Sequence, residues 1–86
     1  MTSRIREDSV AASVIGIDIG KEVFHLVGFS ADGRLVLRQK IKRLALEATF
    51  KKLPPCIIGM EACLSAHFVS RTLRGMGFEP RIIPAI

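Results

Sequence analysis

The chain has 86 residues, of which 49% are apolar, so it suits one small folded domain and is too apolar for a disordered segment. Its apolar runs are short, as at Val14–Ile17 and Cys56–Met60. None approaches the ~20 residues that a membrane helix needs, and Met1–Ala12 lacks the continuous apolar stretch of a secretory signal, so a cytoplasmic protein without membrane contact is expected.

Residues 1–13 are polar and aperiodic and read as an N-terminal arm. The folded region is expected over 14–86. Val14-Ile15-Gly16-Ile17-Asp18 is a β-branched run that ends in a carboxylate, the pattern of a central strand. Gly20 lets the chain turn, Val23–Phe29 forms a second strand, and Ser30-Ala31-Asp32-Gly33 supplies turn chemistry before a third, Arg34–Ile41. Tight connections make these three an antiparallel meander. In the third strand, alternation predicts that Leu35, Leu37, Gln39 and Ile41 face a core. Arg34, Val36, Arg38, Lys40 and Lys42 then form a basic stripe on the other face.

Arg43–Leu53 reads as a short helix with Leu44, Ala48 and Phe50 among its apolar positions, stopped by Pro54-Pro55. Cys56–Glu61 is another buried strand that ends in an acid. Ser65 is placed to cap a helix from Ala66 to about Met76, on which Phe68, Val69, Thr72, Leu73 and Met76 share a face. Gly75 and Gly77 suit its end, and Phe78–Ile83 is the last strand. The predicted class is α/β, in the order β-β-β-α-β-α-β. Its sheet is mixed, with parallel strands after the helix crossovers.

Two features carry chemistry. The first is Asp18 with Glu61, each closing an apolar strand. Ligand sites in α/β sheets form beyond the carboxyl ends of parallel strands, so neighbouring strands would bring both acids to one rim. Two carboxylates at close range need a positive charge between them, and hard oxygen donors suit Mg2+ or Mn2+. Two acids do not complete a two-metal centre, and Glu22, Asp32, Glu47 and Glu79 sit where none completes it. Loop and helix capping are the alternative roles for the pair.

The second feature is charge. The net charge is +5, and residues 34–52 hold Arg34, Arg38, Lys40, Lys42, Arg43, Lys51 and Lys52 against one acid, Glu47. Such a patch is the footprint of a nucleic-acid partner. Solubility or protection of a sheet edge explains it as well. Cys56 and Cys63 lack zinc-ligand spacing and read as reduced thiols, and His25 and His67 read as packing or surface residues.

The run from Val14 through Asp18-Ile-Gly-Lys21-Glu-Val-Phe24-His25 resembles the opening strand and hairpin of DEDD-type transposases of the insertion-sequence 110 family. Gly59-Met-Glu61-Ala-Cys63, Ala66-His67-Phe68, Leu73-Arg74-Gly-Met-Gly77 and Arg81-Ile-Ile-Pro84 resemble their second motif, its helix and the next strand. The resemblance covers residues 14–86. It implies the first half of a ribonuclease H-like (RuvC-like) nuclease domain, with a magnesium-binding tetrad of which Asp18 matches the first member and Glu61 the second. The remaining two aspartates and a C-terminal serine domain have no counterpart in these residues. DNA, a guide RNA and further copies of the chain are the implied partners, with a nucleoid-associated location. The same resemblance implies that these residues alone neither cleave DNA nor bind the metal stably. Leu64-Ser65 replaces a glycine frequent in relatives, and Lys21 matches a common lysine whose role is phosphate contact or packing against the acids. The rival readings are a non-catalytic nucleic-acid-binding module and an actin-like sugar kinase or ATPase lobe. In the latter, small residues would follow the Asp-x-Gly, whereas Lys21-Glu22 stand here.

Overall fold

The computed structural model describes residues 11–84. The elements are β1 (Val14–Ile19), β2 (Val23–Phe29), β3 (Leu35–Lys42), a 3-10 turn (Arg43–Ala45), α1 (Leu46–Phe50), β4 (Ile57–Glu61), α2 (Ala66–Gly75) and β5 (Glu79–Ile83). They form one five-stranded mixed sheet in the order β3-β2-β1-β4-β5. Strands β1, β2 and β3 are the expected antiparallel meander, and β4 and β5 run parallel to β1. Of the arm expected over 1–13, residues 1–10 lie outside the described residues. Ser13 is tied to the sheet, donating its N–H to Phe29 O at 2.8 Å.

Strand alternation separates two faces. Ile15, Ile17, Phe24, Leu26, Ile41, Ile58 and Met60 are buried on one, packed with Leu46, Phe50, Ala66, Val69, Leu73 and Phe78. The rings of Phe50 and Phe78 meet edge to face, with centroids 5.2 Å apart. Along β1 and β2 the opposite face presents Val14, Gly16, Asp18, His25 and Phe29, all exposed, so both helices cover the same side.

The last turn of α2 follows from its glycine. Gly77 adopts a φ of +97°, which a side chain would strain. Its N–H bonds Arg74 O at 3.0 Å while Phe78 N–H bonds Leu73 O at 3.0 Å, the paired Schellman closure. The hairpin between β2 and β3 is closed by Ser30, whose N–H bonds Arg34 O at 2.9 Å and whose hydroxyl bonds Asp32. That hydroxyl holds the Asp32 carboxyl below its ordinary value of 3.8.

Four packing expectations change. A register shift between Gly28 and Phe29 pairs Phe29 with Leu35, so Leu35 leaves the core face and is 52% exposed. Gln39 is also exposed, on the strand at the sheet edge. The segment after β3 splits into a 3-10 turn and a short α-helix, which shifts the phase of its apolar side. Leu46 and Phe50 are buried, and Leu44 is 98% exposed. On α2 the buried arc runs through Ala66, Val69, Ser70 and Leu73, leaving Phe68 55% exposed on the far side.

Candidate functional site

Strands β1 and β4 are parallel neighbours, paired from Val14 with Ile57 to Ile17 with Met60. The next residue of each strand is an acid, Asp18 on β1 and Glu61 on β4. Matching alternation puts both on the open face, and both are exposed. With Ile17, Ile19 and Cys63 they line one hollow of about 390 Å³. Two apolar strands thus end together at a single rim and bring their carboxylates to the same hollow.

The backbone around that rim is tightly specified. Gly20 N–H donates to Val23 O at 3.0 Å, closing the turn from β1 into β2. A Cβ on Gly20 would stand 2.5 Å from that carbonyl oxygen, so only glycine fits the turn. On the β4 side, Ala62 N–H bonds Ile83 O at 2.8 Å and continues the ladder to β5 past Glu61. Carboxylate oxygens are the class of hard donor that divalent cations such as Mg2+ take. Among the described residues, no group of three or more His, Cys, Asp and Glu side chains is gathered closely enough to hold a metal ion.

Two other residues at the rim gain meaning from the fold. His25 lies directly across from Asp18 on β2, with Lys40 next in the same row on β3. Neither neighbour is adjacent to Asp18 in sequence, so only the register could reveal the row. Cys63 is an exposed free thiol lining the hollow, whereas Cys56 is half-buried and its burial pushes the thiol pKa up.

The seven basic residues separate into groups. Arg38, Lys40 and Lys42 are exposed on β3, opposite Val27, His25 and Val23, and so share the face of Asp18. At about 4.8 Å per strand, that stripe runs roughly 10 Å from β1. Arg34 is exposed in the turn before β3, and Lys51 and Lys52 are exposed after α1. Arg43 differs from the rest, being half-buried with its guanidinium turned to protein acceptors. Ser65 holds the N-cap position of α2 but makes no side-chain cap bond. Its hydroxyl accepts from Arg43 Nη2 at 2.6 Å instead. Lys21 is exposed, and its carbonyl, at 3.3 Å, accepts from Arg43 Nη1. No helix among the described residues is long and apolar enough to cross a membrane.

The sequence matches no protein-family model. It is similar to curated proteins named as transposases. One is the "Probable family 20 transposase" of Pseudomonas aeruginosa, 42% identical over 71 residues, covering 83% of this chain and 21% of that protein. Another is the transposase for insertion sequence element IS1328 of Yersinia enterocolitica, 37% identical over 71 residues, with 83% and 21% covered. A third is the transposase for insertion sequence element IS1111A of Coxiella burnetii, 34% identical over 70 residues, with 81% and 19% covered. The chain thus spans about a fifth of the length of these relatives.

Proposed function

We propose that the chain forms the opening part of the catalytic domain of an insertion-sequence DNA transposase, of the DEDD type and with a ribonuclease H-like fold. The observation that carries the reading is the convergence of Asp18 and Glu61 on one hollow at the carboxyl ends of adjacent parallel strands. The likeness to named transposases over four-fifths of the chain supports it.

In this reading Asp18 and Glu61 supply two of the oxygen ligands of Mg2+ or Mn2+. When bound, such an ion lowers the pKa of a water and stabilises the charge on a phosphodiester's leaving oxygen. The protein's own contribution is placement. The β1–β4 ladder carries each acid to the rim, and the Gly20 turn fixes the backbone beyond Asp18. Arg38, Lys40 and Lys42 line the same face and hold a nucleic-acid backbone beside the acids by neutralising its phosphates. The family it resembles uses four such ligands, of which Asp18 and Glu61 match two, so in this reading these residues alone bind the ion weakly and do not cut DNA. Guide RNA and other copies of the chain belong to the proposed assembly, for which the resemblance to the insertion-sequence 110 family is the support.

The test adds sub-stoichiometric Mn2+ to the purified chain and follows broadening of its amide signals. Broadening is expected around residues 18–20 and 61–63, and it disappears in Asp18→Asn and Glu61→Gln. Broadening that survives both substitutions overturns the metal site. Magnesium-dependent nicking by the chain alone, abolished by Asp18→Asn, overturns the division of the ligand set.

A further inference from the structure

We propose that Arg43 is a positioning residue for the carboxylate rim, tying the loop after Asp18 to the loop after Glu61. The pairing of β1 with β4 stops at Ile17 and Met60, one residue short of both acids. Asp18 is registered to His25 and Glu61 to Ile83, each on its outer side, so no ladder pair sets the separation between the two acids. Arg43 spans that gap from a third element. Its Nη1 donates to Gly20 O at 3.1 Å and Lys21 O at 3.3 Å, two residues and three residues past Asp18. Its Nη2 donates to Ser65 Oγ at 2.6 Å, four residues past Glu61.

The tie is itself held. Arg43 N–H bonds Glu22 O at 2.9 Å, and the guanidinium lies 5.3 Å from the centroid of the buried Phe24 ring. Phe24 pairs with Ile19, the residue after Asp18, so the cation is fastened to the hairpin it braces. The geometry needs arginine. A planar fork carries donors in two directions at once, whereas a lysine ammonium is a compact point charge on a flexible stem. The Ser65 hydroxyl makes no cap bond to α2 and meets the guanidinium. Arg43 also lines a second hollow with Gly20, Lys21, Cys63 and Ser65, which shares Ile19 and Cys63 with the carboxylate hollow.

The effect on metal binding rests on the proposed metal site, whereas the tie between the loops does not. The experiment compares the 86-residue chain with Arg43→Met, Arg43→Lys and Ser65→Ala. It reads cross-loop nuclear Overhauser contacts between residues 20–22 and 63–66 without metal, and Mn2+ affinity in a parallel titration. Arg43→Met and Arg43→Lys are expected to lose the contacts and about tenfold or more in affinity, the usual scale for residues that orient metal ligands. The β1, β2 and β4 amides keep their dispersion and exchange protection. Ser65→Ala moves both readouts the same way by less. An Arg43→Lys chain that behaves as wild type reduces the role to charge and overturns the tie. Retained contacts and affinity in Arg43→Met overturn it outright. If Arg43→Met does not fold, unchanged contacts and affinity in Ser65→Ala overturn it. A wild-type chain without Asp18-dependent Mn2+ binding defeats the metal site, and the metal-free contacts then decide the tie alone.

Discussion

The two thiols show how much a residue's chemistry depends on where the fold leaves it. Cys56 and Cys63 sit seven positions apart on either side of β4, yet one is half-buried and the other stands open at the rim. Thiolate is the form that reacts, and burial disfavours it. With its pKa raised, Cys56 holds less thiolate at any pH below its titration, and its reactivity rises only as the solution becomes more alkaline. Iodoacetamide at pH 8 is therefore expected to label Cys63 first, with Cys56 lagging until higher pH or until the chain unfolds. Mass spectrometry of timed samples checks the order, and equal rates at both positions would contradict the described burial. Because Cys63 shares a hollow with Asp18 and Glu61, its labelling also reports on what enters that space.

Among the elements, the segment after β3 is the most instructive. Its sequence supports a helix from Arg43 onward, but only Leu46–Phe50 is α-helical, and the preceding 3-10 turn rotates Leu44 into solvent. Leu46 and Phe50, four residues apart, then share the buried side. Phe50 fills the core against Phe78 and is fully buried. Phe50→Ala is expected to cost about 3–5 kcal/mol, whereas Leu44→Ala stays within about 0.5 kcal/mol. For a domain this small, the first change removes a large share of a total of roughly 5–15 kcal/mol. Urea unfolding followed by circular dichroism measures both. A large loss in Leu44→Ala would show that its helical phase is the one read from sequence alone.

Among the described residues, the helices cover one side of the sheet, and Asp18, Glu61 and the β3 cations lie on the other. Charge and carboxylates on one open face give the proposed nucleic-acid contact a direction. Duplex affinity is expected to fall with salt, because each neutralised phosphate adds about −0.9 to the logarithmic slope. Replacing Arg38, Lys40 and Lys42 together by alanine should flatten that slope by roughly 3, while replacing Lys51 and Lys52, beyond α1, changes it less. Fluorescence anisotropy across a salt series separates the two. A slope that depends mainly on the lysine pair would move the contact away from the acids.

Much of this architecture follows from local order along the chain. β-branched runs ending in acids, turn residues at Ser30–Gly33 and the stop at Pro54-Pro55 specify the kind and succession of elements, because strand and helix periods are written in nearest neighbours. They also imply that β1 and β4 run parallel, since a helical crossover returns the chain in the same direction. What they leave open depends on contacts between distant positions. The shift at Gly28/Phe29 that turns Leu35 outward arises from pairing two strands, and the row Asp18–His25–Lys40 exists only once three strands are in register. Arg43 reads as one more cation in a basic stretch until folding sets it against Gly20 and Ser65, more than twenty residues away in either direction. Such a side chain answers to acceptors that come near it only after the sheet closes, so its partner is decided by packing rather than by its neighbours in the chain.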